Sequence, residues 1–245
     1  MNNPSTPARG RPARLDPVRT VETALDLLDE VGLDALTMRR LADAMDVRAG
    51  ALYRYFATKQ DLLTAMAERM LATLPVPARS TAAGDVAPEH GSAFDQGVTG
   101  ATSAGADWSS QLAALARGMR TALLARRDGA RVFAGTHATG ANTLGFADTT
   151  IGILREAGFA DRDAAQALLA VANFTVGHTL EEQAALGSDG DAPAVPERLR
   201  EAVAGGTYPH LTATLPVLTD SNLAAHFEFG LHLLIQGLRA LRQQD

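Results

Sequence analysis

Apolar residues recur at helical spacing along most of the chain, and no useful run alternates with the two-residue period of a strand. Asp16-Pro17 pairs an N-cap with proline at the first helical position. Val21, Ala24, Leu25 and Leu28 then form one apolar face, and Gly32 ends the helix. Met38, Leu41, Ala42 and Met45 repeat the pattern over a shorter span that Thr37 caps. Asp46 follows where the chain must turn, at a position that wants a positive φ, which Asp tolerates better than most residues. Val47 plugs this turn, and a further helix begins near Arg48 and buries Leu52 and Phe56. Thr58, three residues before Asp61, makes a capping-box start for a helix that runs through Leu62, Leu63, Met66 and Met70 to Leu74 and stops before Pro75.

From residue 75 to 106 the composition shifts to Pro, Gly, Ala, Ser and Thr with little periodicity, so this stretch is expected to be a linker or insertion. Helices resume at Asp107 with the stripe Leu112, Leu115, Met119 and Leu123, followed by a short segment from Asp128 to Gly135. Leu144, Ile151 and Leu154 make another helix that ends at Gly158, and a long one runs from Asp161 to about Leu186. Residues 187–206, with Gly, Asp and Pro at turn positions, read as loop, and a short element from Tyr208 to Leu215 precedes Pro216. The last helix begins at Ser221. Its Phe227, Leu231, Leu234 and Leu238 repeat at four-three spacing, while Phe229, Leu233 and Ile235 make a second face apolar. One helix cannot bury that much in a thin domain, so Phe227, Leu231, Leu234 and Leu238 are expected to form a homodimer, with the 161–186 helix completing a four-helix bundle across a two-fold axis. The fold is expected to be all-α. A flexible basic arm (1–14) precedes a small helical domain (15–74), and beyond the linker (75–106) lies a larger helical domain (107–245).

The outward residues of the small domain suggest its chemistry. Arg48, Ala49, Gly50, Tyr53, Arg54 and Tyr55 face away from the apolar side of the helix near Arg48. A helix entering a DNA major groove needs small residues at its leading end, with cations and hydroxyls for phosphates and base edges. Lys59 stands beside the positive end of the next helix, where a phosphate is favoured. The reading is helix-turn-helix, and the competing one is an ordinary helical hairpin. A net charge of −6 seems wrong for a DNA binder, yet residues 1–75 hold ten basic and ten acidic side chains, so all of the excess acid lies elsewhere. Arg9, Arg11 and Arg14 precede any acid, and Arg39, Arg40, Arg48, Arg54 and Lys59 cluster around the turn. An Arg-Gly-Arg-Pro arm can lie in a narrow minor groove; equally it can be an untethered tail. Cysteine is absent, which excludes disulfides and thiol catalysis, and no stretch approaches the ~20 apolar residues of a membrane span. A cytoplasmic protein with no membrane contact is expected.

The run ALYRYFATKQDLL resembles the DNA-binding domain of the tetracycline-repressor (TetR) family, in which an aromatic pair ends the recognition helix and a lysine opens the next. The likeness covers about residues 15–74. It implies that Thr37, Arg39, Arg48, Ala49, Gly50, Tyr53, Arg54, Tyr55 and Lys59 face double-stranded DNA; Arg9 and Arg11 precede this likeness and join that face only where the arm enters the minor groove. LLARRDGARVFAGTH followed by GFADRDAAQALLAVANFTVGHTLEEQAA is similar to the ligand-binding half of the same family, over about residues 108–185. This implies pocket residues Phe133, Thr136, His137, Asn173, His178 and Glu181. Phe133 and Asn173 depart from the pattern, which has histidines there, the first of them a ligand to a magnesium–drug chelate. Magnesium wants several oxygen or imidazole ligands in octahedral order and Glu181 alone does not supply them, so no metal or cofactor is expected and the ligand should be organic.

Enzyme motifs such as G-x-S-x-G, H-E-x-x-H, a phosphate loop and a dinucleotide fingerprint are not found. The sequence therefore reads as a homodimeric, non-enzymatic repressor that a small-molecule inducer releases from a palindromic operator. Its rivals are a constitutive or activating regulator without an inducer, and a helical metal-dependent enzyme using His178 with Glu181 or Glu182.

Overall fold

The structure, a computed structural model, describes residues 15–74, 107–136, 138–186 and 195–243. Among them the regular elements are all helices: α1 (Pro17–Ala35), α2 (Met38–Ala44), α3 (Ala49–Leu52), α4 (Lys59–Leu71), α5 (Trp108–Leu124), α6 (Gly129–Ala134), α7 (Ala141–Glu156), α8 (Asp161–Leu186), α9 (Val195–Ala204), α10 (Pro209–Leu218) and α11 (Leu223–Arg242). The all-α expectation holds. No described helix is long and apolar enough to cross a membrane. The basic arm with Arg9 and Arg11, the 75–106 stretch and His137 lie outside the described residues.

Local chemistry sets the helix ends of the first unit. Asp16 accepts the Val18 N–H at 3.0 Å, and Pro17 opens α1. Gly32 sits at φ 75 and breaks α1, after which one further turn leads to Leu36. Asp46 adopts φ 53 between α2 and α3, and Thr58 and Asp61 form the reciprocal capping box that starts α4. Leu25, Leu28, Leu36, Leu41, Leu52, Leu62 and Met66 pack together as one core.

A second core collects Leu112, Met119 and Leu123 of α5, Leu154 of α7, Val171 of α8 and Phe227 of α11. Trp108 packs edge-on against Phe159 with ring centroids 5.1 Å apart. The turn into α6 needs both of its residues. Asp128 is left-handed at φ 55, and Gly129 lies so close to the Leu123 carbonyl that any Cβ would overlap it. α4 joins the two cores, because Leu62, Met66 and Met70 belong to the first while Leu71 and the adjoining Leu74 belong to the second. Phe133 of α6 packs against both.

Three expectations need correction. Within 187–206, read as loop, α9 forms: Pro196 and Glu197 suit its first turn, and Val203 is its buried anchor. α10 continues past Pro216 to Leu218, since a proline two residues from a helix end removes only one late hydrogen bond. The helix marked by Leu144, Ile151 and Leu154 forms as α7, with Leu144 itself 56% exposed. On α11, Phe227 and Leu231 are buried in the core of their own chain, and Leu234 and Leu238 are half-buried against it. The outward apolar face is instead Phe229 (67% exposed) and Leu233 (55% exposed).

Candidate DNA interface and ligand-sensing region

α2 and α3 fix their inner faces through Met38, Leu41, Ala42 and Leu52, which leaves Arg39, Arg48, Tyr53, Arg54 and Tyr55 exposed. Among the described residues Arg39, Arg48 and Arg54 have no ion-pair partner. Gly50 opens onto empty space, with nothing within 4 Å of where a Cβ would stand, so another backbone can approach closely there. Two residues of the expected DNA face are partly committed elsewhere. Thr37 spends its hydroxyl oxygen on the Arg40 N–H at 3.1 Å, and Ala49 is half-buried against the first core. Lys59 is also half-buried, with Nζ donating to the Leu33 carbonyl at 3.3 Å, so it must swing away from α1 to meet a phosphate.

The end of α1 is fastened to the second domain. Asp128 accepts the Leu33 N–H at 2.8 Å, and Arg131 pairs with Asp34 at 2.9 Å and with Asp128 at 3.1 Å. Arg126 reaches Asp29 at 2.7 Å and Asp26 at 3.1 Å, while Asp29 accepts the Arg127 N–H at 2.8 Å. The Arg131 hydrogen bond holds the Asp34 carboxyl below its ordinary range, and the bonds to Asp29 and Asp34 raise Arg126 and Arg131. A cleft of about 520 Å³ lies along this junction, lined by Gly32, Asp34, Leu124, Arg127, Asp128 and Gln183 among others. α4 makes its own contacts with the second domain. Gln60 donates to the Gly135 carbonyl at 2.7 Å, and Glu68 accepts from the first turn of α7.

The expected pocket residues fall into separate groups. Phe133 stands at the meeting of the two cores, and Thr136 beside it donates its hydroxyl to the Phe133 carbonyl at 2.9 Å. His178 belongs to a second group between α5, α8 and α11, with Phe174 and Glu182 one helical turn to either side. Phe174 stacks on Phe227 at 5.4 Å, and His178 meets the same ring edge-on at 5.4 Å. Arg120 grips Glu182 through two hydrogen bonds of 2.8 and 2.6 Å and lies 5.2 Å over Phe227. The Nδ1 of His178 makes no hydrogen bond and stands 3.9 Å from the Glu182 carboxylate. Burial lowers the His178 pKa; Glu182 pulls it up, and Arg120 and His226 push it down further, so the ring is neutral at pH 7. Asn173 and Glu181 are exposed on the outer side of α8 and join neither group.

Sequence reasoning missed Arg120, Phe174 and Phe227 as neighbours of His178. The four-residue spacing of Phe174, His178 and Glu182 marks one helix face, but Arg120 lies 62 residues from Glu182 and carried no signal. The pair also occupies Glu182, so that carboxylate is not free to act as a base. Magnesium does not fit at Phe133: that side chain has no donor atom, the Thr136 hydroxyl is tied to backbone, and Glu181 faces outward. Among the described residues no three His, Asp or Glu side chains stand close enough together to hold a metal.

Known proteins share both halves of this arrangement. Residues 21–66 match the family model for bacterial regulatory proteins of the tetR family, and residues 101–242 match that for the tetracyclin repressor-like C-terminal domain. The class A tetracycline repressor from transposon 1721 in Escherichia coli is 39% identical over 232 residues, covering 94% of this chain and 93% of that one. The crystal structure of a possible TetR family transcriptional regulator from Streptomyces coelicolor A3(2) is 63% identical with a TM-score of 0.76, over 93% of this chain and all of that one. A TetR variant from Acinetobacter baumannii AYE in complex with minocycline is 36% identical with a TM-score of 0.67, over 93% and 95% of the two chains. With a helix-turn-helix whose Arg39, Arg48 and Arg54 are exposed and a larger helical domain braced behind it, the chain belongs to the TetR family of DNA-binding transcriptional regulators.

Proposed function

We propose that this protein is a cytoplasmic repressor that binds a palindromic operator as a homodimer and is released from it by a small organic ligand. The observation that carries the reading is α4. One helix of 13 residues supports the exposed Arg48, Tyr53 and Arg54 face at its start and enters the second core at its end. A dimer engages two half-sites only when its recognition helices stand about one turn of DNA apart, ~34 Å, so a small tilt of α4 takes one of them out of its groove. A second copy would cover Phe229 and Leu233 of α11 and the exposed Leu169 of α8. Phe133 and Thr136, between the two cores, are the proposed ligand contacts, with His178 the further polar group within one protomer. The minocycline complex of a relative supports a large, fused-ring organic ligand.

A ligand that releases DNA a hundredfold must favour the DNA-incompetent spacing by about 2.7 kcal/mol, which one buried ring and one oriented hydrogen bond supply. The test begins with selection of binding sites from random duplex DNA. Paired inverted half-sites should emerge, and Lys59→Ala should weaken all of them about equally while lowering the salt slope by about one. Minocycline is then titrated against the complex with and without a chelator, and release is expected to be the same in both. Enrichment of single half-sites by a monomer would overturn the dimeric reading, and release that disappears on chelation would falsify the metal-free pocket.

A further inference from the structure

α4 is attached to the second domain by two side chains eight residues apart, about 12 Å along its axis. At its first turn Gln60 donates to the Gly135 carbonyl at the end of α6. Near its last, Glu68 receives the start of α7: its carboxylate accepts the Asn142 N–H at 3.0 Å, the Thr143 N–H at 3.2 Å and the Thr143 hydroxyl, while the Asn142 amide donates to the Glu68 backbone carbonyl at 2.9 Å. The N-cap of α7 is Gly140, which has no side chain to satisfy those first N–H groups. Glu68 therefore caps α7 from another helix, with its negative charge at the positive end of the dipole. Gly140 is needed for this approach, because a Cβ there would overlap the Glu68 carboxylate.

Only the connection from Gly135 to Gly140 separates the two points of attachment. It follows Phe133 and contains Thr136, so the segment nearest the proposed ligand contacts is held to α4 at both ends. The two junctions differ in make-up. At the end of α1, Arg126 and Arg131 meet their partners through long, partly exposed side chains, supplemented by single backbone N–H bonds from Leu33 to Asp128 and from Arg127 to Asp29. The Glu68 joint is part-buried and is made largely with backbone N–H groups whose directions the α7 helix fixes.

We propose that Glu68 is the positioning residue through which the α6–α7 connection sets the tilt of α4, and with it the separation of the two recognition helices. The proposal rests on the dimeric-repressor reading. A ligand that shifts the first turn of α7 carries α4 with it through Glu68; without this joint α4 keeps its apolar packing and loses its angle.

The absence of cysteine allows site-specific spin labelling without background. A label at Asp43→Cys, exposed on α2, reports the distance across the dimer, and a second at Glu156→Cys, exposed at the end of α7, reports the angle within one chain. Wild type should give one narrow distance distribution for each. Glu68→Ala should broaden both at least twofold with the dimer intact. Glu68→Gln, which keeps an acceptor oxygen, should recover much of the narrow distribution. Gly140→Ala removes no polar group and should displace or broaden the distributions by crowding alone. A merely structural contact would lower the melting temperature and leave both distributions in the folded protein unchanged, and that result overturns the proposal. Absence of any distance across wild-type chains would instead refute the dimer, while the α2-to-α7 distance would still decide the role of Glu68.

Discussion

His178 shows how a side chain can be held in one charge state by its surroundings. Desolvation is the largest cause of its lowered pKa, and the nearest carboxylate, Glu182, is already engaged by Arg120. The folded protein thus binds this proton less readily than the unfolded chain, whose imidazole has the ordinary value of 6.5. The stability linked to His178 is complete above that pH and is lost as pH falls from there through the lowered folded value. Thermal midpoints should decline as pH falls below 6.5, and His178→Phe should flatten that decline. An unchanged slope in the variant would show that other groups govern it. Glu182 and Arg120 have their own constraint, since each leaves the other as an uncompensated, mostly buried charge if removed alone.

At the scale of elements, α11 illustrates how a helix divides its faces. Phe227, Leu231 and Ile235 recur every four residues and fill the second core, whereas Phe229 and Leu233 lie on another face that one chain leaves in water. Leu233→Arg should therefore disrupt dimerisation with little effect on the fold of a single chain. Leu231→Arg should unfold the domain, since it buries a charge without a partner. Sedimentation together with circular dichroism separates the two outcomes: a stable dimer of the Leu233 variant would move the interface elsewhere on the surface. The α9–α10 region makes a different point. Pro196, Glu197 and the spacing up to Val203 announce a helix, but the Gly, Asp and Pro residues just before it suggest a loop when the segment is read as a whole.

In the whole molecule, Phe133 and α4 connect two cores that would otherwise pack separately. A side chain shared by both should matter to each. Phe133→Ala is expected to cost about 2–3 kcal/mol, less than a fully buried phenylalanine because Phe133 is half-buried. It should also loosen the link between the two halves, so that urea unfolding, followed by Trp108 fluorescence and by the helical signal, no longer gives coincident curves. Coincident transitions at the wild-type midpoint would show that Phe133 does not bridge the cores energetically.

The sequence by itself determined whatever depends on neighbours a few residues away. Asp16-Pro17, Gly32, Thr37, Asp46 and the Thr58–Asp61 box fix helix ends through bonds and backbone angles made within one turn, and each was readable. The exposure of the basic, aromatic face followed from the same logic: once Leu52 and Phe56 point inward, Arg48, Tyr53 and Arg54 must point out. Tertiary structure alone decided which apolar face of α11 turned inward, because both faces carry large side chains and only the shape of the partner helices distinguishes them. It also decided the pairings of Arg120 with Glu182, Asp128 with Leu33 and Glu68 with α7, which span 62, 95 and about 75 residues. Charged and polar side chains at such separations leave no periodic trace, since any acid of suitable length can in principle meet any donor. The packing of helices brings one chosen pair within hydrogen-bond distance.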